Sequence, residues 1–91
     1  MSETLTMTRA TYRHTIPSGE EVTYEVRPCR WEPETRITVS YPREIDLSPY
    51  RSDDAYPIVA IERDWGTCIQ CLAHGTDGDT SWEVWQIAAE R

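Results

Sequence analysis

The chain has 91 residues, 16 acidic and 9 basic side chains, and a net charge of −7. We expect one domain over residues 1–91, because two domains would each have fewer than the roughly 50 residues that an independent core needs. The chain is also too short for a Rossmann or TIM-barrel fold. The absence of an apolar run of about 18 residues or of a leader segment predicts a cytoplasmic protein with no membrane partner.

The composition restricts the chemistry. Lys, Asn and Phe are absent, so all nine basic side chains are Arg and every aromatic ring belongs to Trp or Tyr. No side-chain amine is available for a Schiff base or a phosphate loop. Residues 1–45 hold six Arg and seven acids, a net of −1, whereas residues 46–91 hold three Arg and nine acids, a net of −6. Direct nucleic-acid binding is therefore disfavoured, since it needs phosphate neutralisation.

Residues 4–41 predict a three-stranded antiparallel meander. Apolar and polar residues alternate over residues 21–27 and 36–41, which is the period of a strand with one buried face. The inward positions would be Val22, Tyr24, Val26, Ile37, Val39 and Tyr41. Pro and Gly in residues 16–20 and Pro33 mark the two turns. Residues 4–15 alternate less cleanly, and a bulge near Arg9 would reconcile their two phases.

The second half begins with a long connection. Residues 42–57 contain three Pro residues and predict a loop with one helical turn beginning at Ser48 or Pro49. Residues 58–63 start as a continuous apolar run, which predicts a central strand buried on both faces.

The remaining segments predict an acidic C-terminal meander over residues 58–88. Residues 67–74 form a strand, and Asp77-Gly78 is a strong hairpin turn. Ser81 to Ile87 fit a strand with Trp82 and Trp85 on opposite faces, or a helix capped by Thr80; we favour the strand, with a short helical finish at residues 87–91. The fold class is thus mainly β, or α+β, with about six antiparallel strands as two meanders in a small sheet or barrel.

The cysteines raise a metal-site alternative. Cys68 and Cys71, with His74 and Cys29, have the ligand types of a small zinc domain. Against it, Cys68 and Cys71 would point to opposite faces of an extended strand. We therefore expect no cofactor, and an odd number of cysteines without a leader suits a reducing compartment. No nucleophile, metalloprotease or phosphate-loop motif occurs, so we expect no enzyme.

These observations predict a non-enzymatic protein-interaction domain that binds a basic surface on a partner. The carboxylates expected to pair with Arg or Lys are Asp53, Asp54, Glu62, Asp64, Asp77 and Asp79. The apolar anchors would be Trp65, Tyr50 and Trp85.

In composition the chain looks like the small acidic inhibitors of phages and mobile elements, including anti-CRISPR and antirestriction proteins. The resemblance covers no motif. It implies occlusion of a nucleic-acid-binding surface. The alternatives are the zinc domain and an accessory or ligand-binding β module, and exposed sheet edges also allow a homodimer.

Overall fold

A computed structural model describes residues 9–88 as five antiparallel strands in one open sheet, with two short helices between the third and fourth strands. In chain order the elements are β1 (Ala10–Thr15), β2 (Glu21–Pro28), β3 (Arg36–Pro42), α1 (Ser52–Ala55), α2 (Ile58–Trp65), β4 (Thr67–Asp77) and β5 (Thr80–Ala88). The strand order across the sheet is β1-β2-β3-β5-β4, so the C-terminal hairpin joins the meander through β5. Mainly β architecture is thereby confirmed, with five strands where about six were expected.

The N-terminal meander is confirmed. Val22, Tyr24 and Val26 are at most 1% exposed, and Val26 lies opposite Val39 in the antiparallel register. The first turn also forms as expected, with Gly19 at φ 95° donating its backbone N–H to the Ile16 carbonyl at 2.8 Å. Residues 4–8, where the first strand was expected to begin, lie outside the described residues. From Ala10 to Thr15, just after the expected bulge near Arg9, β1 pairs with β2 without a register shift.

The strand predicted over residues 58–63 is wrong, because this segment is helix α2. Ile58, Ile61 and Trp65 recur at helical spacing and contact the core, whereas Val59 is 78% exposed. Four consecutive apolar residues are compatible with either a strand or a helix. The segment forms a helix because the apolar face of the sheet has to be covered by another element. The helix ends at Gly66, whose φ of 121° suits glycine. The helical turn expected at Ser48 or Pro49 begins instead at Ser52.

The C-terminal hairpin is confirmed, and β5 is a strand rather than a helix. Gly78 begins its two-residue turn at φ 65°, a conformation that glycine adopts without strain. Trp82 lies opposite Ser40 and Trp85 opposite Ile37, so the two indoles point to different faces. Residues 87 and 88 continue the strand; the rest of the expected helical finish lies outside the described residues.

The helices cover one face of the sheet and enclose a single core. Its buried members are Ile16, Val22, Tyr24, Val26, Ile37, Val39, Leu47, Ala55, Tyr56, Ile61 and Ile87. Among residues 9–88, no helix has the length and apolar character needed to cross a membrane. The helices thus give the sheet one covered face and leave the other face open.

Candidate functional site

A cleft of about 650 Å³ opens on the covered side of the sheet. Its walls come from the loop after β3, from α1 and from the inner face of the β4–β5 hairpin. The side chains with chemical interest are Tyr41, Tyr50, Tyr56, Cys71, Glu83 and Trp85. Concave sites that combine aromatic walls with a few polar groups are the usual form of ligand-binding sites.

The register of β5 explains why a carboxylate lies in this cleft. Glu83 is paired with Val39 and Trp85 with Ile37, both fully buried residues of the covered face. Since alternate residues of a strand share a face, Glu83 projects toward the helices together with Trp85. Glu83 is half-buried there, although its residue type usually faces water. A carboxylate at a core-facing position is the unusual feature of the hairpin.

Aromatic rings surround this position. The centroids of Tyr24 and Tyr56 are 5.0 Å apart, and Tyr41 meets Tyr56 edge-on at 6.2 Å with an interplanar angle of 89°. Trp85 packs against Tyr56 at 6.1 Å and 69°. Edge-to-face geometry of this kind is favoured by the ring quadrupoles, so the cluster holds its side chains in fixed orientations.

Some polar atoms of the aromatic cluster have hydrogen-bond partners and one does not. The indole Nε1–H of Trp85 donates to Glu83 Oε1 at 3.1 Å, and the hydroxyl of Tyr24 donates to the Ala55 carbonyl. Tyr56 is only 5% exposed, and its hydroxyl oxygen is buried without a hydrogen-bond partner among the described residues. An unpaired buried hydroxyl is costly, so its presence beside a cleft points to a ligand or a bound water.

Among the residues that the structure describes, the Glu83 carboxylate is the one charged group inside the aromatic cluster. Burial, reinforced by the nearby Glu83 carboxylate, raises the pKa of the Tyr56 and Tyr41 hydroxyls. Burial and then Glu83 likewise raise the pKa of the Cys71 thiol. Cys71 is therefore a neutral thiol near pH 7 rather than a nucleophilic thiolate. The cleft is suited to holding a positive group and poorly suited to nucleophilic catalysis.

The mouth of the cleft carries opposite charges. The guanidinium of Arg43 donates a hydrogen bond to the Gly78 carbonyl at 3.2 Å and so contacts the hairpin turn. Hydrogen bonds from the side chain and backbone of Ser48 lower the pKa of the Asp46 carboxyl, which stays ionised at neutral pH. With Glu83 inside, the three charges sum to −1, so the cleft retains a negative balance.

The six carboxylates predicted as partner contacts fall into three pairs on separate elements. Asp53 and Asp54 are exposed on α1, and Asp53 pairs with Arg51 at 3.1 Å. Asp77 and Asp79 are exposed on either side of Gly78 in the hairpin turn.

The pair on α2 is engaged within the chain. Glu62 accepts the Cys68 backbone N–H at 2.9 Å, and Asp64 accepts the Tyr12 hydroxyl at 2.7 Å. The pKa of the Asp64 carboxyl is lowered by this hydroxyl and then by Arg63. These contacts hold Glu62 and Asp64 against their own chain, although Asp64 is exposed to solvent like the α1 and hairpin pairs.

Of the three predicted apolar anchors, two line the cleft and one packs against the core. Tyr50 and Trp85 both line the cleft. Trp65 is half-buried against the core, and its Nε1–H donates to the Tyr12 hydroxyl at 2.9 Å. The most exposed indole is Trp31, 70% exposed in the β2–β3 turn, which was not among the anchors.

Glu83, Tyr41 and Tyr56 were missed as site residues. Glu83 shares the strand phase of Trp85 and Ile87, and this shared phase is the sequence signal that could have revealed it.

The cysteines do not assemble a metal centre. Register shifts at Cys68/Gln70 and Cys71/Ala73 bring Cys68 opposite Ile87 and Cys71 opposite Trp85, on the same face of the sheet. The expectation of opposite faces is thus wrong, because bulges change the alternation. Even so, within residues 9–88 no group of three His, Cys, Asp or Glu side chains is placed to hold a metal ion. The zinc alternative built on Cys29, Cys68, Cys71 and His74 gains no support.

Comparison with protein-family models, curated proteins and solved structures finds no match to this chain. Function must therefore be inferred from the cleft and from the acidic segments beside it.

Proposed function

We propose that this protein is a non-enzymatic interaction domain that binds a basic surface on a partner protein. The observation that carries the proposal is the position of its exposed carboxylates. Ser52 lines the aromatic cleft and is followed by the exposed Asp53, whereas the exposed Asp77 lines a recess on the open face of the sheet together with Trp82. Exposed carboxylates close to recesses that contain aromatic side chains resemble the rim and the anchor pockets of an interface.

The charges suit a partner rich in Arg and Lys. Exposed carboxylates on the rim attract a positive surface and raise the association rate, while aromatic side chains near the centre supply most of the affinity. If the partner uses that surface to hold nucleic-acid phosphates, the bound domain competes with the nucleic acid for the same Arg and Lys side chains. This mechanism is inhibition by occlusion, as in the phage and mobile-element inhibitors of anti-CRISPR or antirestriction type.

Charge reversal tests the proposal. We would immobilise the wild-type chain, the pair Asp53→Arg/Asp54→Arg and the pair Asp77→Arg/Asp79→Arg. Each would be incubated with a lysate of the source organism, and the captured proteins quantified by mass spectrometry. Losing two rim charges and gaining two repulsive ones should reduce capture of the true partner at least about tenfold.

A matched control carries the same change of charge elsewhere. The pair Glu32→Arg/Glu34→Arg lies in the β2–β3 turn, at the opposite end of β3 from the hairpin turn. Capture by this variant should stay near wild type, and added nucleic acid should compete with the partner. Identical captured proteins on the wild type and on both reversal pairs would contradict the proposal.

A further inference from the structure

The cleft contains the elements of a cation site. Tyr41, Tyr56 and Trp85 line the cleft together with Glu83, to which Trp85 turns its indole N–H edge, and Tyr50 forms a further part of the wall. Aromatic faces attract cations electrostatically, and a carboxylate in a partly dry recess adds a charge-assisted hydrogen bond. Rings and a carboxylate together are the means by which proteins recognise organic ammonium groups.

The hydrogen bond that Glu83 already accepts limits the kind of cationic group that can bind beside it. Its Oε1 already accepts the Trp85 indole N–H at 3.1 Å, so one lone pair of Oε1 is occupied while Oε2 keeps both of its own. A guanidinium binds best to both oxygens of a carboxylate as a planar fork, whereas an ammonium is a compact charge that a single oxygen can satisfy. The geometry therefore favours an ammonium group over a guanidinium.

The buried hydroxyl of Tyr56 is the second observation that concerns this site. Tyr56 lines the cleft and is 95% buried as a residue, and its hydroxyl lies near Glu83 and Tyr41 without a hydrogen bond of good geometry to any of residues 9–88. A tyrosine hydroxyl can accept a hydrogen bond, and an ammonium has three N–H groups to donate. One ammonium beside Glu83 and Tyr56 would satisfy the hydroxyl and offset the buried charge together.

We propose that the cleft binds the ammonium group of an aliphatic amine between Glu83, Tyr56 and the ring of Trp85. Two sources share this chemistry, namely a free alkylamine and a lysine side chain of a bound protein. The site does not depend on the proposed function, because a free amine can occupy it without any protein partner.

The test is an NMR titration that follows the Nε1–H signal of Trp85, the group in contact with Glu83. The probes are n-butylammonium chloride, a blocked Gly-Ser-Lys-Ser-Gly peptide and, as the uncharged comparison, 1-butanol. We expect shifts of this signal with a dissociation constant on the order of 1 mM for an amine of this size. Butanol should bind at least about tenfold more weakly, since it lacks the charge.

Variants separate the site from a nonspecific effect of charge. Glu83→Gln should weaken amine binding at least about tenfold and Tyr56→Phe about threefold. Glu25→Gln removes one charge from the open face of the sheet, where Glu25 pairs with Arg9, and should bind as the wild type does.

Folding is checked by urea unfolding. Tyr56→Phe should be at least as stable as the wild type, because it removes a hydroxyl without a partner. Tyr24→Phe, which removes the hydrogen bond to Ala55, should be less stable. Loss of binding in a stably folded Tyr56→Phe therefore reports on the site.

Each outcome has a meaning. Binding of both amine probes, or of one alone, supports the site and identifies the source as a free amine, a lysine side chain or either. No binding of either amine, equal binding of butanol, or unchanged binding by Glu83→Gln would overturn it. None of these results bears on capture of a protein partner by the exposed carboxylates, so failure of one proposal leaves the other standing.

Discussion

The β1–β3 meander and the β4–β5 hairpin belong to one sheet but differ in what they bury. In the meander, the inward side chains of β2 and the central positions Ile37 and Val39 of β3 are at most 1% exposed. In the described β4 and β5, Ile87 is the one buried residue. The hairpin instead half-buries a carboxylate and two indoles.

This difference assigns most of the apolar burial to the meander and leaves the hairpin as the part for which we propose a role in recognition. Apolar burial in the meander supplies a large share of the folding free energy, because stabilisation scales with the apolar area removed from water. The hairpin tolerates groups that a tight core would exclude, and such locally costly groups concentrate at functional sites. The meander thus holds in place the hairpin that contributes Glu83 and Trp85 to the cleft.

The largest expected effect comes from shortening a meander side chain. Ile37→Ala removes a fully buried side chain and should lower the free energy of unfolding by about 2–5 kcal/mol. Ile69→Ala in β4, where the side chain is 54% exposed, should change it by less than about 0.5 kcal/mol. Urea unfolding measures both. Equal costs would show that the hairpin contributes to the core as strongly as the meander; Ile37→Val is the milder variant if Ile37→Ala does not fold.

An intermediate effect is expected where the hairpin is tightly packed on the open face. A Cβ atom added at Gly75 would lie 2.6 Å from Cζ2 of Trp82, so the indole must move. Gly75→Ala should cost about 1–3 kcal/mol, as overpacking usually does. In a Trp82→Ala background the same substitution should cost much less, and a double-mutant cycle measures this coupling. Additive costs would mean that the indole does not pack on Gly75.

The smallest effect is the loss of stability in alkali. Burial raises the pKa of the Cys68 thiol from 9.0 to about 11, and that of the Tyr12 hydroxyl from 10.0 to about 12. Both groups hold their protons more tightly when folded, so their stabilisation is complete below pH 9 and is lost as the pH rises through 9–12. Solvent screening of these partly exposed groups keeps the effect below that of the core substitutions.

Urea midpoints measured from pH 8 to pH 11 check this dependence. Cys68→Ala should flatten the fall above pH 9, and Tyr12→Phe should flatten it above pH 10. A fall of unchanged steepness in both variants would assign the alkaline loss to other groups.

Local patterns sufficed to predict the meander and the hairpin. Alternation placed Val22, Tyr24 and Val26 inward, and Asp77-Gly78 marked the turn. The same reasoning failed at residues 58–63, because Ile58-Val59-Ala60-Ile61 has no polar residue to distinguish period two from period 3.6. Only the uncovered face of the sheet, a feature of the whole fold, determines that this segment is a helix.

The site was predicted only in part, because some of its residues come together through long-range contacts. Tyr50 and Trp85 were selected as residues suited to contact, and both line the cleft. Tyr41, Tyr56 and Glu83 come together only because β5 inserts between β3 and β4 while α1 folds over them. That pairing joins segments about forty residues apart, and no local pattern specifies such long-range contacts.

The outer strand β4 has a consequence for self-association. Residues 67–76 contain no Asp, Glu, Arg or Pro, and Ile69 and Leu72 are exposed, a composition that invites another chain to extend the sheet. The two register shifts leave Ile69 and Leu72 without partners and interrupt the regular row of backbone groups. Backbone irregularity rather than charge repulsion therefore discourages the growth of longer sheets at this edge, and the protection should persist at ionic strengths that would screen a charged edge.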